Sequence, residues 1–241
     1  MIKEKEILVT GGSGLLGSEI KKLIPNAYFP SHVEFCIPDY ASMWCYISGL
    51  GIKTLFHAAA STSPPKINTN PEDGLIVNIE GTSAVVRLCM EFGLRLIYMS
   101  TDYVFDGSKG NYKEDSPVLP INKYAWSKLG GECAVRMYDN SLIIRTSFGE
   151  DIFPYDKAFI DQWTIREGVS KVTKKIVRII KEKPDLTGVI HIGGKKKTVY
   201  AYARESKPDV GILKRNEVDF KVPKDTSLDC SKYKVLFGRE K

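Results

Sequence analysis

No stretch of this chain approaches the roughly 18 consecutive apolar residues that a bilayer-spanning helix needs. The opening Met-Ile-Lys-Glu-Lys-Glu runs directly into Ile7-Leu8-Val9, with no apolar leader region and no cleavage site. The expectation is a cytoplasmic protein that neither is secreted nor spans a membrane. Cysteine is sparse: Cys36, Cys45, Cys89, Cys133 and Cys230 are scattered, odd in number and form no C-x-x-C pair. A disulfide framework or a zinc ribbon needs paired spacing, so reduced, mostly buried thiols are expected. Three isolated histidines add no metal signature. No tract of low complexity and no internal repeat interrupts the chain.

What is present is ordinary globular material. Of 241 residues, 43% are apolar and 27% charged, with 20 glycines and 12 prolines. That length suits one domain, or one domain with a small appendage. The net charge of +6 is unevenly spread. Residues 1–150 carry 14 Lys and Arg against 16 Asp and Glu, whereas 151–241 carry 21 against 13. A basic C-terminal third fits either a solvated lysine-rich surface or a small polyanion such as a diphosphate. Lys195-Lys196-Lys197 is its only tight cluster and lacks the interleaved aromatics of a base-stacking surface, so nucleic acid is not expected as a partner.

The first 145 residues alternate short apolar runs with helix-length segments. Ile7–Thr10, Lys53–His57, Leu94–Met99 and Ser141–Arg145 read as strands, with a further strand at Ala27–Phe29 or Val33–Ile37. Helices are expected at about Gly14–Ile24, Asp39–Leu50, Pro71–Phe92 and Asn122–Tyr138. In the third of these, Leu75, Ile79, Val86 and Met90 recur near helical spacing, and Pro71 suits the start. This rhythm implies a parallel sheet covered on both faces. Beyond Thr146 the rhythm changes. Phe148–Gln162 is irregular, Val169–Ile180 reads as a helix, Val189–Ile192 as a strand and Thr198–Glu205 as a helix. The expected organisation is an α/β doubly wound parallel sheet over 1–146, with 147–241 a small cap packed on it.

Between the first strand and first helix lies Thr10-Gly11-Gly12-Ser13-Gly14-Leu15-Leu16-Gly17. It satisfies both Gly12-x-Gly14-x-x-Gly17 and Gly11-x-x-Gly14-x-x-Gly17. Such a turn needs a tight bend, a residue without Cβ where backbone meets a pyrophosphate, and a third glycine where helix and strand pack. Position between strand and helix is the context the fingerprint requires, so a dinucleotide cofactor is expected there.

Tyr124-Ala-Trp-Ser-Lys128 places a tyrosine and a lysine one turn apart on the same helical face. With 12 tyrosines in a lysine-rich chain, about one such spacing arises by chance, so placement decides. Ser100-Thr101 lies upstream at the C-terminal end of a strand, where ligands bind in open α/β sheets. A phenol near pKa 10 is a poor proton carrier at neutral pH. A neighbouring ammonium would lower that value, and a threonine hydroxyl could steady a developing alkoxide. The set suits hydride transfer between a nicotinamide and a carbonyl.

These residues resemble the extended branch of the short-chain dehydrogenase/reductase superfamily. More narrowly, Ser100-Thr101-Asp102-Tyr103-Val104-Phe105-Asp106-Gly107 and Pro120-Ile121-Asn122-Lys123-Tyr124-Ala125-Trp126-Ser127-Lys128-Leu129-Gly130-Gly131-Glu132 resemble the dTDP-4-dehydrorhamnose reductase family. His57-Ala58-Ala59-Ala60, Val77-Asn78-Ile79-Glu80-Gly81-Thr82, Ile144-Arg145-Thr146-Ser147 and Asp225-Thr226-Ser227-Leu228-Asp229 are similar to further segments of that family. The resemblance implies a Rossmann-type NAD(P)-binding domain and a substrate-binding cap. It implies that Gly11, Ser13, Gly14, Leu15, Leu16 and Gly17 hold NADP or NAD, with Ala58, Ala59 and Ala60 beside its adenosine. Thr101 would polarise the substrate carbonyl, Tyr124 would donate the proton, and Lys128 would hold the nicotinamide ribose and tune Tyr124. Asp102, with Arg166, Arg204 and Lys224 chosen by charge, would face a nucleotide-diphosphate sugar, and a homodimer is in keeping with the family. Phe35-Cys36-Ile37 departs from the pattern by placing cysteine where an aspartate often meets the adenine end, leaving Asp39 as a shifted candidate. Ala125 stands where glycine commonly follows the tyrosine, and the chain is short in the cap. The implied activity is NAD(P)H-dependent reduction of a 4-keto nucleotide sugar. An epimerase or dehydratase of the same branch, and a non-catalytic NADP-binding regulatory subunit like the partner of methionine adenosyltransferase, are the alternatives.

Overall fold

The computed structural model describes residues 2–238. Its centre is a five-stranded parallel sheet of β1 (Ile7–Thr10), β2 (Thr54–His57), β3 (Arg95–Met99), β4 (Ser141–Arg145) and β5 (Gly188–His191), in that spatial order. Register runs evenly, with Ile7 beside Thr54, Thr54 beside Arg95, Leu96 beside Ser141 and Leu142 beside Gly188. Strands β1 to β4 are buried on both faces, and their side chains alternate between two cores. Ile7, Val9, Phe56, Ile97 and Ile144 face one side, against α1 (Leu15–Leu23) and α6 (Val169–Glu182). Leu8, Leu55, Leu96, Tyr98 and Ile143 face the other, against α2 (Tyr40–Ile47) and α4 (Thr82–Phe92).

The extra strand is present only in outline. Tyr28 forms a single parallel bridge with Leu8, on the side of β1 away from β2. Pro30 removes the next donor and stops the ladder. Residues 33–37, the other candidate, form no strand. The chain thus leaves β1 for Tyr28 on one side and crosses through α2 to β2 on the other. A crevice opens at the C-terminal end of β1, where such a reversal places ligands.

Two expectations change in the interior. The long helix begins as a π-helical stretch, Gly74–Gly81, before continuing as α4. Its wider turns rotate the inward face, so Asn78 and Gly81 are buried while Leu75 and Met90 are exposed. The close approach of α5 (Lys123–Val135) accounts for the small residues: a Cβ on Gly131 would lie 2.3 Å from the Tyr98 hydroxyl and 2.9 Å from the Asn78 carbonyl oxygen. The segment beyond 146 also divides. Val172, Ile176, Ile179 and Ile180 of α6, together with β5 and Tyr233 and Phe237 of α8 (Ser231–Phe237), belong to the sheet layers. Lysines on the outer face of α6 mask a strong apolar stripe on its inner face. What remains, 148–168 and 193–230, lies beyond the strand ends as short strand pairs, with α7 (Val199–Arg204) and a satellite core of Phe153, Ala158, Val199, Tyr202 and Val210. Among the described residues no helix is long and apolar enough to cross a membrane.

Candidate active site

The glycine turn is built as its spacing asks. Gly11 has φ +72°, and a Cβ there would lie 2.8 Å from the Ala59 amide nitrogen. A Cβ on Gly17 would lie 2.2 Å from the Gly11 carbonyl oxygen, so helix and turn close on that glycine. Gly14 differs: its Cβ would meet only the Gly11 carbonyl oxygen, at 3.3 Å, leaving its other side open to the cleft. Gly14 is the N-cap of α1, and no side chain accepts from the first turn. By contrast Asp39, Ser63, Asn122 and Thr198 cap α2, α3 (Pro64–Thr69), α5 and α7. An uncapped helix N-terminus above a turn without side chains fits the diphosphate of a dinucleotide.

The opposite wall is tied to this turn by Thr10. Its hydroxyl accepts from the Ala58 and Ala59 amides, each at 3.2 Å, and so gives its own proton to His57 Nδ1 at 2.9 Å. His57 Nε2 lies 3.2 Å from the Thr82 hydroxyl. Burial holds this imidazole neutral, with its pKa lowered to about 3. Asn78 fixes the same loop to α5, accepting from the Ser61 amide and donating to the Ser61 carbonyl and to Ser127 Oγ.

Thr101 follows β3, and the ladder to β4 continues past it: Ser100 N–H donates to Ile144 O at 2.8 Å and Asp102 N–H to Thr146 O at 3.1 Å. Tyr124 and Lys128 come from α5, started by Asn122, whose side chain accepts from the Ala125 amide at 2.8 Å. Glu132 of α5 receives Arg145 of β4 in a fully buried bidentate pair (2.9 and 2.7 Å) and the Ser100 hydroxyl at 2.5 Å. This pin sets α5 against the strand ends that carry Thr101. The motif segments contain both Glu132 and Arg145, but their pairing is not readable from the sequence.

One cleft of about 1310 Å³ gathers Gly11, Ser13, Gly14, Leu15, Leu16, Gly17, Ala58, Ala59, Ala60, Thr101, Asp102, Tyr124, Lys128 and Arg166. Arg204 and Lys224 do not line it; both are exposed, and Arg204 lies over the Tyr200 ring. Charge alone selected them, and charge does not fix direction. Asp39 is also absent from the cleft, spent as the cap of α2. Ser31 and His32 line that end instead, and Ser31 donates through its amide and hydroxyl to Glu34, an acid the sequence reading passed over.

Burial dominates the electrostatics of the Tyr124–Lys128 pair. Burial pushes the Tyr124 phenol up to about 12, and the hydrogen-bonded Thr101 hydroxyl and the Arg166 charge oppose that rise. Lys128 sits one turn further along α5 and is also buried. Its ammonium lies 4.3 Å from the centroid of the Tyr98 ring, and burial lowers its pKa to about 7 against the pull of Glu132. Asp102 is raised to about 6 by burial, although Thr226, Arg166 and Thr101 favour its charged form. The Tyr103 ring meets Tyr124 edge-on with centroids 6.1 Å apart, and Gln162 donates to the Tyr103 hydroxyl at 2.6 Å. Gln162 and Tyr103, both lining the cleft, are further site residues the sequence did not single out. Among the described residues no group of His, Cys, Asp and Glu is placed to hold a metal.

The family model of the RmlD substrate binding domain matches residues 5–160. Methionine adenosyltransferase 2 subunit beta of Rattus norvegicus is 24% identical over 280 aligned positions, covering 98% of this chain and 83% of that protein. The dTDP-4-dehydrorhamnose reductase of Aggregatibacter actinomycetemcomitans is 28% identical over 197, covering 78% of this chain and 62% of that one. The crystal structure of dTDP-4-dehydrorhamnose reductase from Bacillus anthracis in complex with NADP superposes with a TM-score of 0.86 at 21% identity, over 100% of this chain and 94% of that chain. With a glycine turn, a Tyr-Lys helix and a parallel sheet arranged as described, and a family match over well more than half its length, the chain belongs to the RmlD substrate binding domain family.

Proposed function

We propose that the protein is an NAD(P)H-dependent reductase of a 4-keto nucleotide sugar, most similar in its site to the dTDP-4-dehydrorhamnose reductases. The observation that carries this is the convergence of Thr101, Tyr124 and Lys128 with the uncapped glycine turn in one cleft. Gly11 to Gly17 would hold the diphosphate of NADP or NAD and Ala58 to Ala60 would line its adenosine side. When bound, the dinucleotide supplies the hydride. Tyr124 holds a proton at neutral pH and would release it to an oxygen becoming alkoxide, a far stronger base than the carbonyl it came from. Thr101, lining the same cleft as that phenol, would hold the substrate oxygen. Lys128, buried and close to neutrality, would gain charge against an anionic cofactor. Residues 148–168 and 193–230 would supply the substrate side, with Arg166 as the cation facing a diphosphate. A reducing cytoplasm suits the five unpaired cysteines.

The likeness to methionine adenosyltransferase subunit beta over nearly the whole chain favours a second reading, a cofactor-binding subunit without turnover. Net NADPH or NADH consumption over dTDP- and UDP-linked 4-keto sugars separates the readings. The reductase consumes cofactor in step with sugar, whereas an epimerase or dehydratase recycles it. A subunit consumes none and instead forms a stable complex with a methionine adenosyltransferase catalytic chain.

A further inference from the structure

A dinucleotide whose diphosphate sits over the glycine turn and whose reactive ring reaches Tyr124 must lay its adenosine toward the other side of β1, where Tyr28 forms its bridge. The ribose 2′ position there carries a phosphate in NADP and a hydroxyl in NAD. A carboxylate at this end accepts from that hydroxyl and repels the phosphate. Glu34 lies about 20 residues beyond the turn, the spacing such an acid takes. Its carboxylate is used locally. Oε2 accepts from the Ser31 amide at 2.8 Å and the Ser31 hydroxyl at 2.7 Å, while the Glu34 amide donates back to Ser31 Oγ at 3.3 Å. This is the reciprocal closure of a capping box, and Glu34 does not line the cleft. Asp39 is held by the first turn of α2. Phe29, before Pro30, packs over the glycine turn: a Cβ on Gly12 would lie 3.1 Å from its Cβ. Among the described residues, the carboxylates lining the cleft are Asp102, Glu150 and Asp156, which follow β3 or belong to the segment beyond the sheet. The adenosine end presents Ser31 and His32 instead.

We propose that His32 reads the ribose 2′ position and gives the cleft a preference for NADPH over NADH. The inference rests on the dinucleotide reading of the glycine turn and does not depend on turnover. The closed turn from Ser31 to Glu34, continued by the Phe35 amide donating to the Ser31 carbonyl at 3.0 Å, fixes the backbone on which His32 stands. The Ser31 hydroxyl is given to Glu34, so the exposed imidazole of His32 is the donor left to meet a phosphate. A hydrogen bond donated to a charged oxygen is worth more than one to a neutral hydroxyl. Lys21 of α1, with Nζ 5.7 Å from the centroid of the Phe29 ring, brings positive charge to the same strand end. NADH finds no carboxylate on this wall to accept from its ribose hydroxyl.

Equilibrium fluorescence titration of the whole protein with NADPH and with NADH tests this without turnover. NADPH should bind at least about tenfold more tightly than NADH. Adenosine 2′,5′-bisphosphate should likewise displace NADPH at least about tenfold more readily than adenosine 5′-monophosphate, which isolates the contact from the nicotinamide half. His32→Asp, a change at an exposed position, should weaken NADPH by about tenfold or more and leave NADH as tight or tighter. Glu34→Gln keeps an acceptor for Ser31 and removes the charge, so NADH affinity should not fall. Equal affinities in the wild type, an unaltered ratio in His32→Asp, or a loss of NADH binding in Glu34→Gln overturns the assignment. Binding of neither dinucleotide overturns the cofactor reading along with it. Selective NADPH binding without consumption over the 4-keto sugars sustains the preference and overturns the reductase alone.

Discussion

Replacing Glu132 by glutamine should destabilise the protein far more than its conservative chemistry suggests. Glu132 accepts two hydrogen bonds from Arg145 and one from Ser100, and neither member of the ion pair has any exposed side-chain surface. The amide keeps one acceptor but turns an NH2 toward a guanidinium that remains charged and buried. One-sided loss of a buried pair costs about 3–5 kcal/mol. Unfolding entropy grows with length, so a 241-residue chain loses about 2 °C of Tm per kcal/mol. The expected fall is about 6–10 °C, read by thermal denaturation. Removing both charges, as Glu132→Met with Arg145→Met, should recover most of it, because two apolar side chains replace two desolvated ions. Recovery should be incomplete, since the Ser100 hydroxyl loses its acceptor at a cost of about 1–3 kcal/mol. A fall below about 2 °C in Glu132→Gln, or a double variant less stable than the single one, would refute this reasoning.

Gly14→Val should fold and lose NADPH binding in a fluorescence titration, because its new side chain has room in the protein but enters the cleft. Gly17→Ala should instead fail to fold normally by circular dichroism, since its Cβ meets the Gly11 carbonyl at 2.2 Å. Arg166→Gln should raise the KM for a nucleotide-sugar substrate about tenfold or more, while Arg204→Gln and Lys224→Gln, both away from the cleft, should leave it unchanged in steady-state kinetics. The folded-state pKa values of His57 and His191 are both lowered to about 3 from an ordinary value near 6.5, so the unfolded chain binds more protons between those limits. Stability should therefore decline as pH falls below about 6.5 and continue down toward about 3, seen as a falling urea midpoint. His57→Asn should flatten part of that decline.

Much of the fold is legible because its signals are local. A strand, three glycines and a helix start within ten residues announce the turn, and Asn122 before Tyr124 announces α5. Other parts depend on contacts across the chain. The face of the 74–92 helix could not be read from a 3.6-residue period, because the π-helical stretch shifts the phase between Leu75 and Val86. The place of α6 was obscured by lysines such as Lys171 and Lys174, which occupy the outer side of a helix whose inner side packs on α1. In the site, residues fixed by backbone position, such as Gly11, Thr101 and Tyr124, were chosen from motif and spacing and line the cleft. Arg204 and Lys224, chosen for charge, lie elsewhere, and Gln162 and Glu132 matter through partners 59 and 13 residues away that no local pattern links.

The central claim is that Tyr124 delivers the proton in a cofactor-dependent reduction. Tyr124→Phe removes one oxygen and keeps the ring against Tyr103. Its kcat for NADPH consumption with dTDP-4-dehydrorhamnose, measured beside its NADPH affinity, tests that claim most directly. The expected result is a loss of about 10²–10⁴ in kcat with NADPH affinity nearly unchanged. Undiminished turnover in Tyr124→Phe would contradict it.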